Sequence, residues 1–179
     1  MSLTRTNAVQ SVKIRRMTVT GLFAALIYVF TAFLHIPTGA GYTHAGDGLI
    51  YLAACILPTP YAVAAGAIGG ALADGLSGFL IWMPATIVIK AVTVLFFSNK
   101  CEKILTFRNL LGIIPSLILC VVGYSLYEGT VMAKGLSASA IIAAFGQTPA
   151  YCLQVGVSTV LFVAVGLAMD KIHFKKWIN

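Results

Sequence analysis

Residues 17–34 read MTVTGLFAALIYVFTAFL, eighteen residues without one charged side chain. A run of this length in a helix reaches about 27 Å, close to the hydrocarbon thickness of a bilayer. The preceding segment, residues 1–16, is polar and basic, and no small-x-small cleavage site follows the run cleanly. The run therefore reads as a retained first span and not as a removable leader. The rest of the chain repeats the pattern. Further apolar stretches fall at 47–58, 61–80, 84–98, 110–132 and 140–169, the last interrupted near Pro149. The expectation is an all-α membrane protein, a bundle of six transmembrane helices. A structured outer loop, Ile36–Gly46, joins helices one and two. The second span is the shortest, ending at Pro58 and Pro60.

Composition agrees. Of 179 residues, 59% are hydrophobic and 9% charged, with mean hydropathy +0.94. An ordinary soluble domain carries about 25% charged residues. So little charge could not keep a water-soluble surface dispersed, which excludes a typical cytosolic enzyme and a disordered tail. The four cysteines, at 55, 101, 120 and 152, form no CxxC pair, so neither a disulfide framework nor a zinc site is expected. The length is that of a single domain, residues 1–179.

The net charge of +7 raises the question of acidic partners. The positions of the basic residues answer it. Arg5, Lys13, Arg15 and Arg16 precede span one. Lys100, Lys103 and Arg108 lie between spans four and five, and Lys171, Lys175 and Lys176 follow span six. With both termini cytoplasmic (segments 1–16 and 170–179), ten of the twelve basic residues fall on the inner side. This obeys the positive-inside rule and requires an even number of spans. The charge orients the bundle, and no nucleic-acid partner is implied.

Ionisable groups inside apolar segments are costly and are functional candidates by default. At about 1.5 Å per residue, those of this chain fall at one level, the outer third. Asp74 lies late in span three, Lys90 about two turns into span four, and Glu128 near the outer end of span five with Tyr124 one turn deeper. Gln147, Tyr151 and Gln154 form an i, i+4, i+7 stripe on span six. His35, His44 and Asp47 flank the outer loop. Such convergence suits a pocket open to the outside, whereas a proton wire needs groups at several depths. Alternatives stand beside that reading. Asp74 and Lys90 either pair to fix helix packing or contact a ligand. Asp47 either caps helix two or contacts a ligand. Tyr124 and Tyr151 either belong to the interfacial belt or line the pocket. Glu128 has no sequence neighbour that neutralises it and is the favoured ligand contact.

Small residues mark the packed faces. Ala62, Gly66, Gly70, Asp74 and Gly78 recur every four residues in span three, so Asp74 faces protein. No GxxxxGK[ST], HExxH or GxSxG motif occurs, and no catalytic or metal constellation emerges. The halves do not read as inverted repeats. A binding subunit powered by partners is the leading class. A self-sufficient secondary transporter and a membrane enzyme using Asp74, His44 or Glu128 are the competitors.

The chain resembles the substrate-binding S components of energy-coupling factor (ECF) transporters, the micronutrient importers of prokaryotic cell membranes. The resemblance covers nearly the whole chain. It rests on size, span number, the small-residue first helix, Gly66-Ala-Ile-Gly-Gly-Ala-Leu-Ala-Asp-Gly-Leu-Ser-Gly78 and Thr43-His-Ala-Gly-Asp-Gly-Leu-Ile-Tyr51. It implies capture of a small water-soluble substrate from outside under the first outer loop. It also implies association with a transmembrane coupling (T) subunit and two ATPase subunits, which use the ATP; this chain holds no cofactor. Family members dock on that coupling subunit through small residues of helix one, here Gly21, Ala24 and Ala25. Their usual Ala-x-x-x-Ala is Gly21-x-x-x-Ala25 in this chain. The subfamily suggested is queuosine-precursor salvage, with a 7-deazaguanine base such as queuine. Glu128 or Asp74 would accept from its N–H edge, Tyr124, Tyr151 or Trp82 would stack on its plane, and Gln147 and Gln154 would read its remaining polar atoms. A pyrimidine thiamine precursor or another vitamin would suit the same inventory.

Overall fold

The computed structural model describes residues 2–38, 41–135 and 137–178. The side chains of residues 2–9, Arg5 among them, and of Gly41 lie outside that description, as do Gly39 and Ala40 of the outer loop and Leu136 of the turn expected before span six. Among the described residues the architecture is all-helical apart from one small hairpin.

Helix α1, Ser2–Ala32, continues straight through the segment expected to precede the first span. Its end leads into strands β1, His35–Thr38, and β2, Gly41–His44, paired antiparallel with His35 opposite His44. The structured outer loop is this hairpin. Helix α2, Asp47–Ile56, is ten residues long and buried at every one of them. It is about 15 Å long, too short to cross a bilayer. Leu57 turns extended and Pro58 and Pro60 forbid continuation, so the second expected span is a central core helix wrapped by the others.

Helix α3, Thr59–Leu76, ends four residues before its expected limit, and Gly78 follows at φ +85°, a conformation glycine adopts freely. A 3-10 turn, Leu80–Trp82, leads into α4, Met83–Val94. After a short α5, Phe107–Leu111, helix α6, Ile113–Tyr127, runs into a π turn, Glu128–Met132. The sixth expected span is broken where Pro149 suggests. Helix α7, Ala138–Ala144, and a 3-10 turn, Phe145–Gln147, precede α8, Thr148–Lys171, and α9, Phe174–Ile178, closes the chain.

Among the described residues, three segments are long and apolar enough to cross a membrane: Gln10–Ala32, Phe107–Met132 and Ala138–Lys171. The remaining apolar helices are shorter. Outside α2 the helices' outward faces are apolar: Leu22, Ile68, Val88, Ile118 and Val160 are among many large hydrophobic side chains left exposed, as a lipid-facing surface requires.

Helix α3 is where glycine decides the packing. A Cβ on Gly69 would stand 2.7 Å from the Ala24 carbonyl of α1, and one on Gly70 would stand 2.8 Å from Thr86 of α4. Gly70, on the stripe expected on span three, admits the Thr86 side chain of α4, while the close approach to the α1 backbone falls at Gly69, beside that stripe.

The basic segments gather at the end away from the hairpin. Arg15 donates to the Trp177 carbonyl and lies over its ring, and Lys175 donates to the Cys101 carbonyl. Asp170 accepts from the Ile104 and Leu105 amides, at 2.7 and 3.0 Å. The Arg15 turn of α1, the link before α5 and the segment around Lys175 therefore lie together at one basic end.

Candidate functional site

A cavity of about 500 Å³, counting the space at its open mouth, lies beneath the hairpin. Eight residues singled out in the sequence line it: His44, Asp74, Trp82, Tyr124, Glu128, Gln147, Tyr151 and Gln154. They come from five places in the chain, brought together because α3, α4, α6 and α8 surround the buried α2 under β2.

Its wall is aromatic. Tyr124 and Tyr151 stack with centroids 5.7 Å apart and planes at 19°, and Trp82 meets Tyr124 edge-on at 5.8 Å. Thr86 and Tyr124 share a hydroxyl–hydroxyl bond of 3.2 Å. The roof is the hairpin. Tyr42 donates to Asp74 Oδ1 at 2.6 Å, and its ring packs on Phe79 at 4.6 Å. Thr43 donates to the Ala150 carbonyl on the far side, at 3.3 Å.

Two carboxylates are left open. Among the described residues, Asp74 Oδ2 and Glu128 Oε2 are buried atoms with no hydrogen-bond partner, and no Lys or Arg lines the cavity. A buried acceptor without a donor is costly, and a donor from a bound molecule would satisfy it. Glu128 opens the π turn, where the carbonyl of Glu128 accepts from the Ala133 amide at 3.1 Å. Such turns often occur at functional sites.

His44 offers the opposite polarity. Its Nδ1 accepts from the Gly46 amide at 3.1 Å, so the proton of the neutral ring resides on Nε2. Burial pushes the imidazole down to about 4, which keeps it neutral at neutral pH.

Two expected contacts lie elsewhere. Lys90 and Asp47 do not line the cavity; they form a buried ion pair of 2.5 Å behind it. Lys90 therefore pairs with Asp47 and not with Asp74. Nor does Asp47 cap its helix: the N-cap is Gly46, without a side-chain bond. Both Asp47 oxygens are engaged, Oδ1 by Lys90 and Oδ2 by Gln154 Nε2 at 2.8 Å. Asp47 lies on α2 and Lys90 on α4, and their helices' approach was not readable from span depth.

Thr31, Thr38, Tyr42 and Thr86 also line the cavity and were not singled out in the sequence. Tyr42 had a signal. Strand residues two apart share a face, so the choice of His44 entails Tyr42 once the loop is read as extended.

On α1, Gly21 and Ala25 are exposed, and a Cβ on Gly21 would meet nothing within 4 Å. Ala24 does not share that open face; it is buried against Gly69 of α3. One residue along a helix is a rotation of about 100°, which carries Ala24 from the outer face to the inner one.

No curated protein matches the chain. The family model described as "ECF-type riboflavin transporter, S component" matches residues 11–171, from within α1 to the end of α8. That range holds the hairpin, the cavity and every helix around it, and the chain belongs to this family of ECF transporter S components.

Proposed function

We propose that the cavity under the hairpin captures a flat nitrogen heterocycle rich in N–H donors, best represented by a 7-deazaguanine bearing an amine, of the queuine type. The family makes the chain a substrate-binding subunit of an ECF importer for a vitamin-like substrate. The finer identification rests on one observation: two carboxylates with open buried oxygens face a cavity that no Lys or Arg lines among the described residues. A guanine-like edge presents two parallel N–H donors to one carboxylate, and an ammonium group would meet the other. The stacked tyrosines supply a wall for the ring plane, and His44 Nε2 a donor for its carbonyl.

The family's own description favours a second reading, riboflavin. That ligand is uncharged and offers a single ring N–H, so it would leave one carboxylate to be met by its side-chain hydroxyls.

On this reading the hairpin end faces outward and the basic end faces the cytoplasm, following the charge bias of the flanking segments. The family implies a T subunit and ATPases as partners. The open small face at Gly21 and Ala25 is the proposed docking surface for the coupling subunit.

Calorimetric titration of the purified chain with 7-aminomethyl-7-deazaguanine, an aminopyrimidine thiamine precursor and riboflavin tests the assignment. Tightest binding of the deazaguanine is expected. Riboflavin binding more tightly than both amines would overturn it.

A further inference from the structure

The residues behind the cavity carry an inference that rests on the proposed capture of a donor-rich ligand. The orientation of Gln154 in the wall is dictated from behind. Its amide Nε2 donates to Asp47 Oδ2 at 2.8 Å and approaches Cys120 Sγ at 3.8 Å, so both amide protons are committed. Asp47 is ionised against Lys90 and can only accept, which forbids the flipped amide. The carbonyl Oε1 is then the end that Gln154 turns to the cavity it lines. Lys90 is itself held, over the Tyr124 ring at 5.4 Å.

We propose that the Asp47–Lys90 pair is a positioning device that sets ligand specificity. By locking the Gln154 amide it makes that part of the wall an acceptor, selecting ligands that offer a donor there. The pair touches no ligand; it acts through Gln154. A free glutamine would rotate its amide to suit either a donor or an acceptor. A locked one leaves a mismatched ligand with two opposed acceptors in a desolvated site, and discrimination follows from the unmet polar atoms.

Two measurements test the device. The first needs no ligand. The chain holds three glutamines, Gln10, Gln147 and Gln154, so selective 15N-glutamine labelling gives three side-chain amide signals, assigned by Gln10→Ala and Gln147→Ala. The Gln154 amide protons are expected to exchange with solvent at least tenfold more slowly than the other two. Equal exchange in the wild-type chain would overturn the proposal, whatever the ligand.

The second uses the double variant Asp47→Asn with Lys90→Met, which removes both charges together and so leaves no unpaired buried ion. The probes are 7-aminomethyl-7-deazaguanine and its counterpart lacking the 2-amino group. The wild-type preference for the amino compound is expected to fall about tenfold in the double variant, with binding of the counterpart retained. An unchanged preference would overturn the positioning role. Wild-type protein that binds neither probe would overturn the ligand reading, while the exchange measurement would still decide the lock. Should the double variant fail to fold, Gln154→Met, which removes the amide without adding a charge, should lose the preference for the amino compound; an unchanged preference would overturn the proposal.

Discussion

Tyr42 Oη donates to Asp74 Oδ1 at 2.6 Å, tying the hairpin to α3 across 32 residues of sequence. The bond does two things at once. It fixes one oxygen of a cavity carboxylate, leaving the other for a ligand, and it holds β2 down over the cavity mouth. A hydrogen bond to a charged group contributes about 1.5–3 kcal/mol. In Tyr42→Phe the Phe79 packing persists while the tie is lost. Amides of 41–44 are expected to exchange faster with solvent, and bound heterocycle to dissociate at least tenfold faster by stopped-flow fluorescence. Unchanged dissociation would show that the hairpin is held by its other contacts.

Glu128→Gln keeps the shape of the side chain and removes its charge. Glu128 is half-buried at the rim and its Oε2 has no partner, so the fold loses no contact. Affinity for an amine-bearing heterocycle is expected to fall about tenfold or more, with little change in affinity for an uncharged analogue. Equal losses for both ligands would indicate a change in cavity shape, and no loss would remove Glu128 from the site.

Much of the site was legible in the sequence, because polar groups are rare enough in an apolar chain for their depth to mean something. Asp74, Glu128 and the Gln147–Tyr151–Gln154 stripe reach one cavity from three separate stretches. What depth along a span cannot supply is azimuth and neighbourhood. Lys90 sits at the level of Asp74 as well as Asp47, and only the position of α2 inside the ring of helices gives it to Asp47. The hairpin escaped notice as strand because its arms are four residues each, too short for alternation to declare itself, and Pro37 lies in the first.

Gly48→Ala separates packing from helix propensity. A Cβ there would stand 2.4 Å from the Ser158 carbonyl, backbone against backbone between α2 and α8. Neither can yield without moving a helix, so a cost of about 1–3 kcal/mol is expected. Gly156→Ala on α8 is the control: its Cβ would meet nothing within 4 Å. There the same change should stabilise by about 0.5–1 kcal/mol, by lowering the entropy of the unfolded chain. Thermal unfolding in one detergent compares them, and Tm shifts of the same sign would refute the packing account.

The pH dependence of stability follows from His44. Burial is the main cause of its depressed value of about 4, with the Lys90 and His35 charges acting in the same direction and Asp47 opposing. An unfolded histidine titrates near 6.5. The folded state therefore binds fewer protons below that pH. The contribution of His44 is complete above pH 6.5 and is lost as the pH falls toward 4, by up to about 1.4 kcal/mol per pH unit. His44→Gln should flatten the decline of Tm between pH 6.5 and 4.5 relative to the unaltered chain. Parallel profiles would mean that other groups carry the acid sensitivity.

The two neighbouring residues on α1 give the sharpest separation of fold from function. Ala24 is buried where Gly69 lets α3 approach, and Gly21 lies on the open side of the same helix with nothing near its Cβ position. Ala24→Leu adds bulk to a packed contact and should lower Tm by several degrees. Gly21→Leu adds it to a lipid-facing surface, where stability and ligand affinity should hold, helix propensity improving slightly. If that surface docks the coupling subunit, close approach of the two backbones requires the missing side chain. Gly21→Leu should then bind ligand normally yet fail to copurify with the coupling subunit and to support uptake. Full uptake by Gly21→Leu would place the docking surface on another helix, and weakened ligand binding would show that α1 transmits strain to the cavity.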